Sequence, residues 1–277
     1  MNKFFSFIKI EHTLFTLPLI YSGVILGSRG IPPLELLILV LVAATGARTS
    51  AFALNRIIDR KIDVRNPRTA LRELPSGRMS VAEASVVLTT GLILYFMSAV
   101  MISTFCLVIS PIPLIIFVLY PYMKRFTILA HFGVGLGMAM APLGGWFAAS
   151  PSFENIAPAI LLCLFTVFWG AGFDIIYATL DEEFDRRENL YSFIARFGRK
   201  KGLSYAALIH LLGFACLVLL FFHSIQTLYA LPFLILTGIL LWIEHLKAAD
   251  VNLAFFKLNA GLGFVVFAMI ATGAIVK

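Results

Sequence analysis

The chain is a succession of apolar runs of near-membrane length, with its charges almost wholly between them. A helix rises 1.5 Å per residue, so about 20 apolar residues cross the hydrocarbon of a bilayer. Nine runs approach that length: 12–28, 34–54, 82–102, 105–123, 130–148, 156–177, 202–222, 226–243 and 255–276. No dyad alternation of the kind that marks a membrane barrel is evident. Composition agrees, since hydrophobic residues make up 60% of the 277 and charged residues 13%. Soluble domains carry about 25% charged residues. A soluble enzyme, a disordered protein and a secreted disulfide scaffold are therefore excluded. Cys106, Cys163 and Cys216 lie far apart inside apolar runs and read as small buried side chains, with no disulfide frame or zinc spacing. The expected fold is all-α: a polytopic membrane protein with nine transmembrane helices, in a single domain over 1–277.

The scarce charges set an orientation. Alternating the nine runs across a bilayer puts nineteen of the 22 Lys and Arg residues on one side. Arg29 and Lys277 fall on the other side, and Arg48 lies inside the second run. Cytoplasmic loops carry the excess of Lys and Arg. The expectation is thus a multi-pass protein of the cell's inner membrane, with the N-terminus cytoplasmic and the C-terminus opposite. Residues 2–11 read as a short amphipathic helix at the interface, without the small-residue cleavage site of a signal peptide.

Two cytoplasmic loops, 55–81 and 178–201, are long, and both carry acids in a pattern. After the second run the chain reads Asn55-Arg-Ile-Ile-Asp59-Arg-Lys-Ile-Asp63. After the sixth, Asp174 and Tyr177 lead to Asp181-Glu-Glu-Phe-Asp185. Aspartates four apart share one helix face, where like charges repel by a few tenths of a kcal/mol. A hard cation would compensate, because Mg²⁺ prefers oxygen ligands and is held by carboxylates together with substrate phosphates. Asn55 adds a neutral oxygen one turn before Asp59. Lys124 and Arg125, after the fourth run, are the basic groups a diphosphate needs. Arg48 lies two turns deeper than Asn55, and a charge inside a span is a functional residue by default. The competing reading is a solvated loop salt-bridged to neighbouring arginines, with Lys124 and Arg125 serving only as topogenic charge.

Other features carry less. Gly133, Gly135 and Gly137 read as helix packing, because no strand precedes them to make a nucleotide loop. His131, His210, His223 and His245 read mostly as packing or interfacial residues. Glu11 and His12 receive no role from the sequence.

At these motifs the chain resembles the UbiA superfamily of intramembrane aromatic prenyltransferases, and within it the 4-hydroxybenzoate polyprenyltransferase group. The resemblance rests on the block 55–63, on Asn66-Pro-Arg-Thr-Ala-Leu-Arg72-Glu-Leu-Pro-Ser-Gly77, on Tyr120-Pro-Tyr-Met-Lys124-Arg125, and on Gly172-Phe-Asp174-Ile-Ile-Tyr177 through Asp185. The wording of the second and fourth blocks is closest to the branch that prenylates the naphthoate precursor of menaquinone in the futalosine route. Two departures bear on the substrate: Asn55-Arg56 stands where ubiquinone-type enzymes often have Asn-Asp, and the run 178–181 differs from the branch's usual wording.

The resemblance implies nine helices around a central cavity, capped by the acidic loops. It implies Mg²⁺ held by Asn55, Asp59, Asp63, Asp181 and Asp185, and Asp174 and Tyr177 near the site. Arg48 and Lys124 would contact diphosphate, while Arg68 and Arg72 would hold diphosphate or an aromatic carboxylate. The implied partners are a polyprenyl diphosphate, an aromatic acceptor and the bilayer, with no nucleic acid and no obligate protein. A different lipophilic acceptor is the nearest alternative. A transporter fits poorly, because it would want its acids at the midplane.

Overall fold

The computed structural model describes residues 3–8, 13–28, 31–251 and 257–276. Lys9, Glu11, His12, Arg29 and Lys277 lie outside the described residues. The described chain forms α1 (Lys3–Phe7), α2 (Thr13–Gly27), α3 (Leu34–Asp63), α4 (Val81–Ile102), α5 (Thr104–Ile109) and α6 (Pro111–Met123). It continues through α7 (Ala130–Ala149), α8 (Ala157–Tyr177), α9 (Glu182–Arg187), α10 (Phe193–Leu220), α11 (Leu231–Leu246) and α12 (Asn259–Ile275). Each of the nine apolar runs is helical. Among the described residues, seven helical stretches are long and apolar enough to cross a membrane. Two shorter apolar helices, Thr16–Gly27 and Asn259–Ile275, fall below that length. The expectation of nine spans therefore has seven helices of spanning length behind it. Val86, Ile93, Met97, Val100 and Met101 stand exposed on α4, an apolar surface suited to lipid and not to water.

Two loop boundaries differ from the sequence reading. The first loop is 64–80 and not 55–81, because α3 continues through both aspartates. Nothing in 55–63 breaks a helix; the first obstacle is Pro67, which disfavours helical geometry at Asn66. The second loop also shortens. Ser192 caps α10 by accepting the Ala195 N–H at 3.1 Å, so the basic run from Arg196 to Lys201 lies on that helix. A break at Gly198, with φ of 78°, interrupts it.

The helices close a circuit in which α2 packs on α7 and α12, α7 on α8, α8 on α10, and α10 and α12 on α11. Beside it, α3 packs on α4 and α6, and α6 on α7. Small residues allow the close approaches, as membrane helices require. A Cβ on Gly145 would lie 2.0 Å from the Ile20 carbonyl oxygen, and one on Gly23 would lie 2.0 Å from that of Pro142. Gly135 meets Val167 of α8 in the same way, and Gly133 meets Tyr120 and Met123 of α6. Their reading as packing residues is thus borne out; Gly137 has only ordinary contact, with Phe117.

A buried polar chain ties the second half together. Trp169 Nε1 donates to Asn259 Oδ1 at 2.6 Å, and Asn259 Nδ2 donates to Glu244 Oε1 at 2.9 Å. His210 Nε2 lies 3.1 Å from the Trp169 carbonyl, which can only accept, so that nitrogen carries the proton. His210 Nδ1 then accepts from His245 Nε2 at 2.9 Å. Both histidines are packing residues, as read from the sequence.

Gly145→Val is expected to cost more than about 2 kcal/mol, since backbone cannot move aside as a side chain can. Loss of monodisperse protein or a lowered unfolding temperature checks this, and a variant as stable as wild type would refute the backbone contact.

Candidate active site

A cavity of ≈ 720 Å³ opens between α2, α3, α6, α7 and α8. Its wall is mostly apolar and includes Phe117, Met138, Leu143, Phe147 and Ile160. The polar residues gather toward the C-terminal ends of two helices and the loop between α3 and α4: Arg48, Asn55 and Arg56 from α3, Arg72 from the loop, Asp174 and Tyr177 from α8. Four wall residues follow one stripe of α3 over about two turns, Arg48, Phe52, Asn55 and Arg56. Arg48 stacks over the Phe52 ring at 4.6 Å.

The aspartates stand around the rim, and Asp59, Asp63 and Asp181 are each paired to a base. Asp59 is 3% exposed and accepts from Lys124 Nζ at 2.6 Å and from Asn55 Nδ2 at 3.3 Å. Arg125 stacks on Tyr122 at 4.6 Å, donates to the Ile58 carbonyl at 3.1 Å and reaches Asp59 Oδ1 at 3.5 Å. Asp63 receives Arg72 Nη1 on both carboxylate oxygens, at 3.0 and 2.9 Å. Asp181 receives Arg68 through Nε at 2.9 Å and through Nη2, and Asn66 Nδ2 at 2.8 Å. Arg68 also donates to the Tyr177 hydroxyl at 2.7 Å. Burial works against the Arg68 charge, but the Asp181 and Tyr177 contacts outweigh it and hold its pKa above the ordinary value. The Asp185 carboxyl is pushed up to about 6, first by burial and then by the Asp181 charge; Ser192, Lys124 and His131 oppose the rise. Lys124 thus serves Asp59 by contact and Asp185 at longer range, joining the two motifs.

The loop 64–80 is the lid of this rim. It sends Arg68 to the second motif and Arg72 to the first. It is anchored by Glu73, which is 4% exposed and accepts from Ser6 of α1 at 2.6 Å. Burial raises the Glu73 carboxyl, but Ser6, its own backbone N–H, Arg56 and Arg78 together hold it below the usual Glu range. Lys3 bridges to Glu83 at 2.6 Å, and Ser80 and Glu83 form a capping box on α4. The described part of the N-terminal segment is therefore a helix docked on the lid, with Phe7 1% exposed against Ala53 and Met79.

The structure brings Arg48, Asn55, Arg72, Asp174 and Tyr177 onto the cavity wall and leaves Asp59, Asp63, Arg68, Lys124, Arg125, Asp181 and Asp185 at the rim. Among the described residues, no three carboxylate, His or Cys side chains gather as a metal cluster. The donor chemistry still fits a hard cation, because Asn55 and the four aspartates supply only oxygen. Asp59, Asp63 and Asp181 would each exchange a basic partner for the metal.

Sequence reasoning passed over His131. Its Nδ1 lies 2.7 Å from Asp174 Oδ2, and its Nε2 accepts the Phe193 N–H at 3.3 Å. The neutral ring therefore carries its proton on Nδ1 and donates it to Asp174. Nothing in the sequence pairs residues 43 positions apart. Tyr120, hydrogen-bonded to Asn55, was legible only as part of the block around Lys124.

Comparison with known proteins follows this geometry. The family model described as UbiA prenyltransferase family matches residues 16–254. A 4-hydroxybenzoate octaprenyltransferase of Aliivibrio salmonicida (strain LFI1238) is 32% identical over 216 residues, covering 78% of this chain and 73% of that protein. The apo structure of a UbiA homolog from Aeropyrum pernix K1 superposes with a TM-score of 0.84 at 33% identity, over 96% of this chain and 98% of the other. A UbiA homolog from Archaeoglobus fulgidus bound to GPP and Mg²⁺ has the same fold, with a TM-score of 0.74 at 19% identity and 99% of both chains covered.

A depressed Glu73 pKa means a carboxylate whose stabilising effect is complete above the unfolded Glu value, about 4.3, and is lost as pH falls through the lower folded value. Glu73→Gln is expected to loosen the lid by about 1 kcal/mol at pH 7 and to remove that acid dependence. Proteolytic nicking within 64–80 between pH 3 and 7 reads both effects; equal nicking of variant and wild type would contradict the anchor.

Proposed function

The chain belongs to the UbiA prenyltransferase family, and from that premise we propose that it transfers a polyprenyl group from polyprenyl diphosphate to an aromatic hydroxy acid of quinone biosynthesis. The acceptor is 4-hydroxybenzoate or 1,4-dihydroxy-6-naphthoate, on the way to ubiquinone or menaquinone. The protein is a prenyltransferase and a multi-pass membrane protein. The observation that carries the finer reading is the division of one chamber into an apolar body and a polar mouth. A prenyl chain and a diphosphate make the same division.

Asn55, Asp59, Asp63, Asp181 and Asp185 would hold Mg²⁺, a metal the Archaeoglobus homolog was solved with. When bound, the ion supplies positive charge against the leaving diphosphate. Lys124, Arg125, Arg68, Arg72 and Arg48 bind diphosphate oxygens and stabilise negative charge as it develops there. The carbon–oxygen bond of the allylic diphosphate breaks, and a carbon–carbon bond forms at the ring position ortho to a hydroxyl. Phe117, Met138 and Phe147 keep water from the allylic cation. The ring proton leaves last. We assign it to Asp174, the single Asp or Glu among the described wall residues, with His131 fixing its orientation. The basic bias of the loops supports a lid on the cytoplasmic face of the inner membrane with the C-terminus opposite.

Purified protein with polyprenyl diphosphate, both acceptors in competition and Mg²⁺ tests the reading, with products identified by mass. Asp59→Ala and Asp181→Ala are each expected to lower turnover by about 10²-fold or more, and chelation to abolish it until Mg²⁺ is restored. Near wild-type rates in both variants would sink the metal assignment. Asp174→Asn is expected to lower kcat while leaving KM for the prenyl diphosphate unchanged; a rise in that KM alone would remove Asp174 from the chemistry.

A further inference from the structure

A second cavity, of ≈ 350 Å³, lies where the end of α3, the lid and the start of α4 meet. It shares no lining residue with the large chamber. Arg60 and Lys61 of α3 line it together with Val64, Leu74, Met79 and Val81. Residues 60, 61 and 64 lie on an exposed face of α3, round the helix from Asp59 and Asp63, which are buried. None of the described lining residues is acidic. The two acids that flank its lid segment are engaged, Glu73 by Ser6 and Arg78, and Glu83 by Lys3 and the α4 cap.

The bases of the lid each have an acid: Arg65 reaches Glu188 at 3.2 Å, Arg72 reaches Asp63 at 2.9 Å, Arg78 reaches Glu73 at 3.7 Å, and Arg68 pairs with Asp181. Among the described residues, Arg60 and Lys61 have no hydrogen-bond or ion-pair partner. A base kept only to orient the chain needs no cavity beside it. The place of the cavity narrows what would fill it. The apolar run of α3 ends at 54 and that of α4 begins at 82, so both helices pass through the headgroup layer here. Val64 and Val81 are exposed at the cavity, and Val86, Ile93 and Met97 carry an exposed apolar surface onward along α4. A soluble anion would meet the two bases and leave that apolar wall wet. An anion with a hydrocarbon tail satisfies both, because basic pockets at this level hold lipid headgroups while the chains lie against the helices.

We propose that this cavity binds the phosphate of an anionic phospholipid and so ties the lid to the bilayer. Leu74 and Met79 belong to the lid and pack in the cluster around Phe7. A lipid seated against them braces the lid at its α4 end, while Arg68 and Arg72 hold it to the two aspartate motifs. Prenyl transfer plays no part in this contact.

The delipidated full chain in neutral detergent, offered equal phosphatidylglycerol and phosphatidylcholine, tests the site by native mass spectrometry of the retained lipid. Wild type is expected to keep phosphatidylglycerol in about tenfold preference, and Arg60→Gln/Lys61→Gln to fall to within about twofold of no preference. Val64→Glu, at an exposed position, should do the same by setting a carboxylate against the phosphate. Arg199→Gln/Lys200→Gln/Lys201→Gln, in the exposed basic run of α10, removes more charge and should keep the preference. Phosphatidylglycerol should also slow proteolytic nicking of wild type within 64–80, and not that of Arg60→Gln/Lys61→Gln. No preference in wild type, or an equal preference in wild type and Arg60→Gln/Lys61→Gln, overturns the proposal. An equal loss in the α10 variant overturns it too, by making the preference one of general charge. Inorganic phosphate that slows nicking as phosphatidylglycerol does would give the cavity to a free anion and remove the lipid.

Discussion

The site depends on the pairing of carboxylates with bases contributed by different elements. Asp59 of α3 holds Lys124, which follows α6; Asp63 holds Arg72 of the lid; Asp181, before α9, holds Arg68 of the lid. Removing one member of a buried pair is far more costly than lacking both, because the survivor keeps its desolvation penalty. Each pair therefore fastens two parts of the chain that share no backbone hydrogen-bond ladder. The lid gains an attachment to each motif from two residues four apart, Arg68 and Arg72. A further backbone bond, from Tyr191 N–H to the Lys124 carbonyl at 2.7 Å, joins the approach to α10 to the end of α6.

The rest of the bundle divides into a solid half and a hollow half. The solid half is α8 and α10–α12, filled by Phe165, Trp169, Leu217, Leu262 and Val266 and bound by the Trp169–Asn259–Glu244 chain. Membrane helices gain little from hiding apolar surface, which lipid accepts as well as protein does. Close packing and satisfied polar groups hold this half together. On the hollow side α2 and α7 touch backbone to backbone at Gly23 and Gly145, and Val40 of α3 packs with Ile20 and Val24 of α2.

What the sequence discloses is local. Runs of apolar residues read as helices because length and composition decide them within one segment. The aspartates four apart read as one face because helical period places them there. Gly135 reads as packing for the same reason. The loop limits were misplaced because the polar stretch 55–63 is still helix-competent, so polarity alone marks the membrane edge and not the helix end. Seven described helices have spanning length, and the count of nine includes α2 and α12, which are apolar but shorter within the described residues. The pairings were beyond reach. Lys124 is 65 residues from Asp59, and His131 is 43 from Asp174. Only the folded circuit brings them into contact. Arg56 was visible as a departure in wording, but its burial is a property of the fold.

The rim described here carries four aspartates, Asp59, Asp63, Asp181 and Asp185, and four bases, Lys124, Arg125, Arg68 and Arg72. Opposite charges so interleaved cancel much of each other's field with distance, and salt screens what remains. A lone anion would find Lys124, Arg68 and Arg72 already paired, and a lone cation would find Asp59, Asp63 and Asp181 already paired. The resting ion pairs thus set a condition on any occupant: it must bring charge of both signs if the groups it parts are each to be given a new partner.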